Sequence, residues 1–261
     1  MTAFRALLVA ALTLALAFLT LPVVAIFVDT SPGDLIASLG DGEARDALWL
    51  SLETTAIAVA LIVAVATPAA WFLARRRFRG HALVVTLVEL PLVLPPAVAG
   101  IGLLAAVGPH GILGGAVGDS LVLQTAGVVV ALTFVAAPFY LRQAQAAFAA
   151  VDPALLEASR TLGAGEARTF ARVAVPNAMP GLAAGLALAW GRALGEFGAT
   201  LMFAGSFRGV TQTVPLAIYD QFATDFPAAL ALSAVLVCVS GALLLSVKLA
   251  TGAGPLGVAA R

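Results

Sequence analysis

Six long apolar runs constrain this chain more than anything else in it: Ala6–Val28, Leu48–Ala74, Ala82–Val107, Leu121–Gln143, Leu182–Gly205 and Ala228–Leu249. A hydrocarbon core about 30 Å thick takes about 20 residues of helix to cross. At that depth backbone groups must bond within the protein, which leaves helices or closed barrels. Runs of this length fit helices, so the expected fold is all-α and membrane-embedded, with six transmembrane helices. The composition agrees: 61% hydrophobic and 11% charged, with mean hydropathy +1.05, where a soluble domain carries roughly 25% charged residues. The first run exceeds the apolar core of a signal peptide, and no small-x-small site closes it, so it reads as a retained helix.

Fourteen basic residues cancel fourteen acidic ones, so net charge points to no nucleic acid and only the distribution informs. Positive residues collect on the cytoplasmic side of a membrane protein. With the N-terminus inside, that side holds Arg5, Arg75, Arg76, Arg77, Arg79, Arg142, Arg160, Arg168, Arg172, Lys248 and Arg261; only Arg45 and Arg208 fall outside. Six spans then place both termini in the cytoplasm. Cys238, alone, makes no intrachain disulfide and reads as a packing residue; His81 and His110 read as solvated loop residues.

The longest polar stretch, VDPALLEASRTLGAGEARTF from Val151, falls in a cytoplasmic loop. Asp152 suits an N-cap, Pro153 the first helical position, and Gly163 and Gly165 a stop. Leu155, Leu156, Ser159 and Leu162 share one face of this short helix, which leaves an apolar edge to be docked. A second helical piece, 166–175, is expected to end at Pro176. An amphipathic helix lying on lipid headgroups is one reading of such a loop.

Two spans carry unusual residues. The third, VELPLVLPPAVAGIGLL, holds Pro91, Pro95 and Pro96, which reads either as a broken helix facing a cavity or as a kink in a packed one. The fifth, AWGRALGEFGATLMFAG, holds Arg192 and Glu196 four apart, where a helix lets them pair. An unpaired charge there costs about 2.5–3.5 kcal/mol on insertion scales, so both should face protein or water. Gly191, Gly195 and Gly198 offer close packing. A pair that fixes packing and a role at a pathway or gate both stand at this point.

Glu157-Ala158-Ser159, then Gly163, then Val173-x-Val175-Pro176 resembles the "EAA" loop signature of ABC importer permeases, with Ser159 where alanine is usual. GRALGEFGATLMFAG, TQTVPLAIY and LPLVLPPAVAGIGLL are similar to the molybdate/tungstate branch of that family, whose near relatives are sulfate/thiosulfate permeases. The resemblance covers about 48–249. It implies the type I importer permease fold, with 48–250 as the permease core; residues 1–47, an N-terminal helix and acidic loop, carry none of the resemblance, and 251–261 read as a short cytoplasmic tail. It implies a coupling helix near 153–163 that docks on a separate ATPase through Glu157, Ala158, Ser159, Gly163 and Pro176. A pathway or gate at Pro95, Pro96, Arg192, Glu196 and Gly198 is the functional reading of the broken third span and of the fifth-span pair, beside the packing reading of each.

By the same resemblance the chain sits in a prokaryotic cytoplasmic membrane. Its partners are a second copy of itself, two ATPase subunits and an extracytoplasmic oxyanion-binding protein. The cargo is molybdate or tungstate, with sulfate or thiosulfate the alternative. No cofactor is expected in this chain, because G-x-x-x-x-G-K-[ST] is absent and ATP with magnesium belongs to the ATPase. No metal site or catalytic residue is expected, and two distant histidines with one cysteine make a poor kit for a membrane enzyme. An ion-driven secondary transporter would be expected to show two repeated halves, which are not evident.

Overall fold

The computed structural model describes residues 3–250; the tail 251–261, with Arg261, lies outside them. The order is α1 (Ala3–Asp29), α2 (Pro32–Gly40), α3 (Gly42–Arg75), α4 (His81–Val93), α5 (Pro96–Val107), α6 (Gly114–Leu121), α7 (Thr125–Ala149), α8 (Pro153–Thr161) and α9 (Glu166–Thr169). A π turn (Phe170–Ala174), α10 (Val175–Leu194), α11 (Gly198–Ala204), α12 (Val214–Phe222) and α13 (Phe226–Ala250) follow. No strand occurs among the described residues. The expected all-α membrane architecture is therefore the observed one.

Five helical stretches are long and apolar enough to span: α1, α3, α7, α9 to α10 through the π turn, and α13. The third expected run is instead a broken pair, α4 and α5, turned through 117°. Pro95 and Pro96 cause the break. Each removes an amide donor, and a proline disfavours helical geometry in the residue before it. Leu94 and Pro95 accordingly lie extended, and Pro96 opens α5 at its first position.

Side-chain contacts fix the relative directions of α3, α7 and α10. On α3, Thr67 bonds Tyr140 of α7 at 2.7 Å, and eight residues on Arg75 donates to the carbonyls of Phe148 and Val151. The two helices therefore run parallel. Parallel neighbours joined by α4 and α5 require that pair to carry the chain back across, which makes a sixth crossing. α10 runs antiparallel to α7, with Gly181 against Ala147 and Gly185 against Tyr140 and Gln143.

The main core joins α3, α7 and α10 through Ile62, Leu132, Tyr140, Phe148 and Leu182, and reaches Leu156 of α8. A second cluster ties α5, α7 and α11 through Ala99, Val135 and Phe203, and a third joins α3, α12 and α13. By contrast α1 and α4 bury no residue in this chain. Apolar helices without buried faces suit lipid or another chain as their surroundings.

Three expectations need correction. The helix from Glu166 does not end at Pro176. A π turn widens the backbone just before it, Pro176 sits in the first turn of α10, and the Asn177 side chain donates to the Val173 carbonyl at 2.7 Å. Such turns take up irregularities that would otherwise break a helix. Secondly, the fifth run is not one helix: α10 closes at Leu194, and the run continues to Gly205 through the separate helix α11. Thirdly, His81 is half-buried against the Leu73 carbonyl at 3.0 Å rather than solvated, and Cys238 is exposed on α13 rather than packed.

Candidate functional site

The polar loop forms a short, firmly capped helix. The Asp152 carboxylate accepts from the Ala154 amide at 2.8 Å and Pro153 occupies the first turn, so α8 starts where the residues direct it. It stops because Gly163 adopts φ +79°, while the Gly163 and Ala164 amides return to the Arg160 and Ser159 carbonyls. Of the expected apolar edge only Leu156 is buried; Leu155 is 44% exposed and Leu162 is 88% exposed. Glu157 and Ala158 lie on the exposed side and Ser159 is half-buried, bonded to Thr169 at 3.0 Å. Pro176 is exposed two turns after Thr169 on the continuing helix.

Beneath α8 the packing is stiff. Trp71, Phe148 and Phe170 form a ring cluster with centroids 5.4–5.9 Å apart, and Arg75 lies over Trp71 at 5.3 Å. The loop helix packs on α9 and the π turn, and its Leu156 joins the buried cluster that holds Phe148 of α7. Its outward surface remains bare.

A second group of expected residues meets where α10 ends. Glu196 is 1% exposed. One of its oxygens accepts from the Ala199 amide at 2.7 Å, and the other lies 2.6 Å from the Arg192 guanidinium in a geometry that aligns no N–H on it. The two charges do pair as expected, but not along one helix. α10 closes at Gly195, and Glu196 reaches back to Arg192 while capping α11. Gly198 faces the break in α4 and α5, since a Cβ there would stand 2.9 Å from Pro96 Cβ. Pro95 is exposed at the same break.

Pro96, Gly198, Glu196 and Arg192 are therefore brought together, and their depth follows from packing. Two turns beyond Gly185, Arg192 stands level with about 133–136 of α7, close to the middle of that helix's apolar run. The loop residues from Glu157 to Gly163 are not part of this group. They lie at the opposite end of α10.

Several buried polar residues are ones to which the sequence assigns no site role, three of them within TQTVPLAIY. Thr200 is buried on α11 with no partner for its hydroxyl among the described residues. Thr211, Gln212 and Thr213 are buried too, where Gln212 donates to Asp220 at 2.6 Å and Thr211 accepts from the Phe207 amide. Three consecutive hydrogen-bonding residues in so apolar a chain were the available signal. Arg75 gave none, being one of a run of arginines.

Known proteins resemble the chain along most of its length. The family described as binding-protein-dependent transport system inner membrane component matches residues 66–252. The molybdenum transport system permease protein ModB of Mycobacterium tuberculosis is 41% identical over 240 residues, covering 91% of each chain. A probable molybdenum ABC transporter permease of Haloferax volcanii is 39% identical, covering 90% of this chain and 87% of its own length. In structure the chain is similar to a bacterial ABC transporter involved in alginate import, with TM-score 0.73 at 17% identity over 96% of this chain and 95% of the other. That likeness concerns the fold.

Proposed function

Because this chain belongs to the family of binding-protein-dependent transport system inner membrane components, we propose that it is the membrane subunit of an ATP-driven oxyanion importer whose cargo is molybdate or tungstate. The observation that carries this reading is α8. It is a short helix, capped at both ends, rooted in the bundle through Leu156 and bare on its outward side. Relatives named for molybdenum transport, aligned along nine-tenths of the chain, support the cargo.

In this reading α8 is the coupling helix, and Glu157, Ala158, Ser159 and Gly163 meet a cleft on the ATPase. Small side chains permit close approach and Glu157 offers a carboxylate to a cationic partner. Pro176 shapes the turn through which α10 receives the push. ATP and magnesium are held by the ATPase, and this chain contributes no hydrolytic chemistry. Two copies of the chain, two ATPase subunits and an extracytoplasmic binding protein complete the assembly. Residues 48–250 form the working core, with both termini on the cytoplasmic side of a prokaryotic membrane, as the arginine distribution supports.

The residues also supply a mechanical route. Movement of α8 reaches Phe170 and α10 through Leu156 and the Ser159–Thr169 bond. In the last turn of α10, Arg192 pairs with Glu196, which ties that helix to α11, and Gly198 of α11 rests on Pro96 at the α4–α5 break. Closure of the ATPase pair would shift this line as a rigid body and change which side of the membrane the break faces. Glu196 neutralises Arg192, so the pathway holds the anion weakly and lets it leave. Selection then belongs to the external binding protein.

The test is uptake into proteoliposomes that hold the chain with its ATPase and binding protein. ATP-dependent molybdate or tungstate uptake that excess sulfate does not compete away is expected. Sulfate as the preferred cargo would overturn the assignment.

A further inference from the structure

A cleft of about 470 Å³ opens between the end of α3 and the loop helix, lined by Trp71, Arg75, Arg76, Arg160 and Glu166. Three guanidiniums share it with one carboxylate, and that carboxylate is spent: Glu166 pairs with Arg76 at 3.0 Å. No ion pair reaches Arg160 among the described residues. Arg75 gives one terminal nitrogen to two carbonyls, yet its buried Nε finds no acceptor. A buried donor left without a partner costs about 1–3 kcal/mol, and like charges lining one recess repel. Both deficits are removed by the same occupant.

We propose that this cleft binds a phosphate-class anion, held between Arg75 and Arg76 at the end of α3 and Arg160 on α8. Guanidiniums match tetrahedral oxyanions through paired, charge-assisted bonds. Trp71 closes one wall and lies beneath Arg75, which keeps that guanidinium oriented. The recess lies in the last turn of a spanning helix, where headgroup phosphates gather beside basic residues and free phosphate also has access. An anion there ties the loop helix to α3 by charge, in addition to Leu156.

The full-length chain in detergent, titrated with inorganic phosphate against chloride at constant ionic strength, tests this through its Tm. Saturable stabilisation is expected. Arg160→Gln, which removes an exposed side chain with no fold contact of its own, should weaken the midpoint by roughly tenfold, the loss of one charge-assisted partner. Glu166→Gln should tighten it. In a second arm, nanodiscs of phosphatidylglycerol and of phosphatidylcholine are compared. Stabilisation by phosphatidylglycerol with the same dependence on Arg160 identifies the headgroup as the source; a response to phosphate alone identifies the free ion. No response in either arm overturns the proposal, as does a response that Arg160→Gln leaves unchanged. Stabilisation that arises only when the ATPase is added would also overturn it, because the cleft would then take a protein acid.

Discussion

Glu196 carries two obligations at once, a charge partner for Arg192 and an amide cap for Ala199. Removing only the cation leaves a buried carboxylate uncompensated, which costs about 3–5 kcal/mol where it has been measured. Arg192→Gln should therefore lower thermal stability more than Arg192→Gln with Glu196→Gln, whose amide oxygen can still accept from Ala199. Equal losses, read by thermal inactivation in detergent, would deny the coupling. Gly100 is constrained in another way: a Cβ would stand 2.6 Å from Met202 Cβ and 2.7 Å from the Ala199 carbonyl oxygen. Gly100→Ala should cost about 1–3 kcal/mol by overpacking, with Gly191→Ala, which meets nothing within 4 Å, as the control of unchanged stability.

At the scale of elements, α8 and the α10–α11 break behave differently under substitution. Gly163 at φ +79° admits a side chain only with backbone strain, about 1–2 kcal/mol, so a bulky residue there tests the helix stop as much as any docking. Ala158→Trp is the cleaner probe: the site is exposed and the helix can hold it. Membrane insertion should be unchanged and stability should stay within about 0.5 kcal/mol of the wild type, while ATP-driven uptake falls to background. Retained uptake with normal expression would remove α8 from the coupling role. The caps of α8 were legible because Asp152, Pro153 and Gly163 act locally. The end of α10 was not, because Arg192 and Glu196 at i, i+4 have the spacing of an intact helix, and only the packing of α11 on α5 shows that the helix has closed. Pro176 misled for the complementary reason. A proline normally stops a helix, and the π turn that accommodates it leaves no mark in residue type.

Across the whole molecule, the crossings and the family were legible, since run lengths and the loop signature depend on composition and spacing alone. The 117° turn between α4 and α5 was legible only as a choice between a break and a kink, because prolines remove bonds without saying which way the chain then goes. The bare faces of α1 and α4 set the largest demand on the surroundings. If α4 faces a second copy, cysteines placed on α4, as in Val84→Cys or Leu87→Cys, should cross-link between two chains, whereas labelling by a lipid-soluble reagent alone would place α4 against lipid.

In the proposed mechanism, work enters this chain through α8 from a separate ATPase. Accumulation of radiolabelled molybdate against its gradient, in proteoliposomes with ATP and the binding protein present, addresses it most directly. Accumulation is predicted only when the ATPase is included, and is predicted to vanish with Ala158→Trp. Accumulation by the chain without the ATPase would show that the work does not enter through α8.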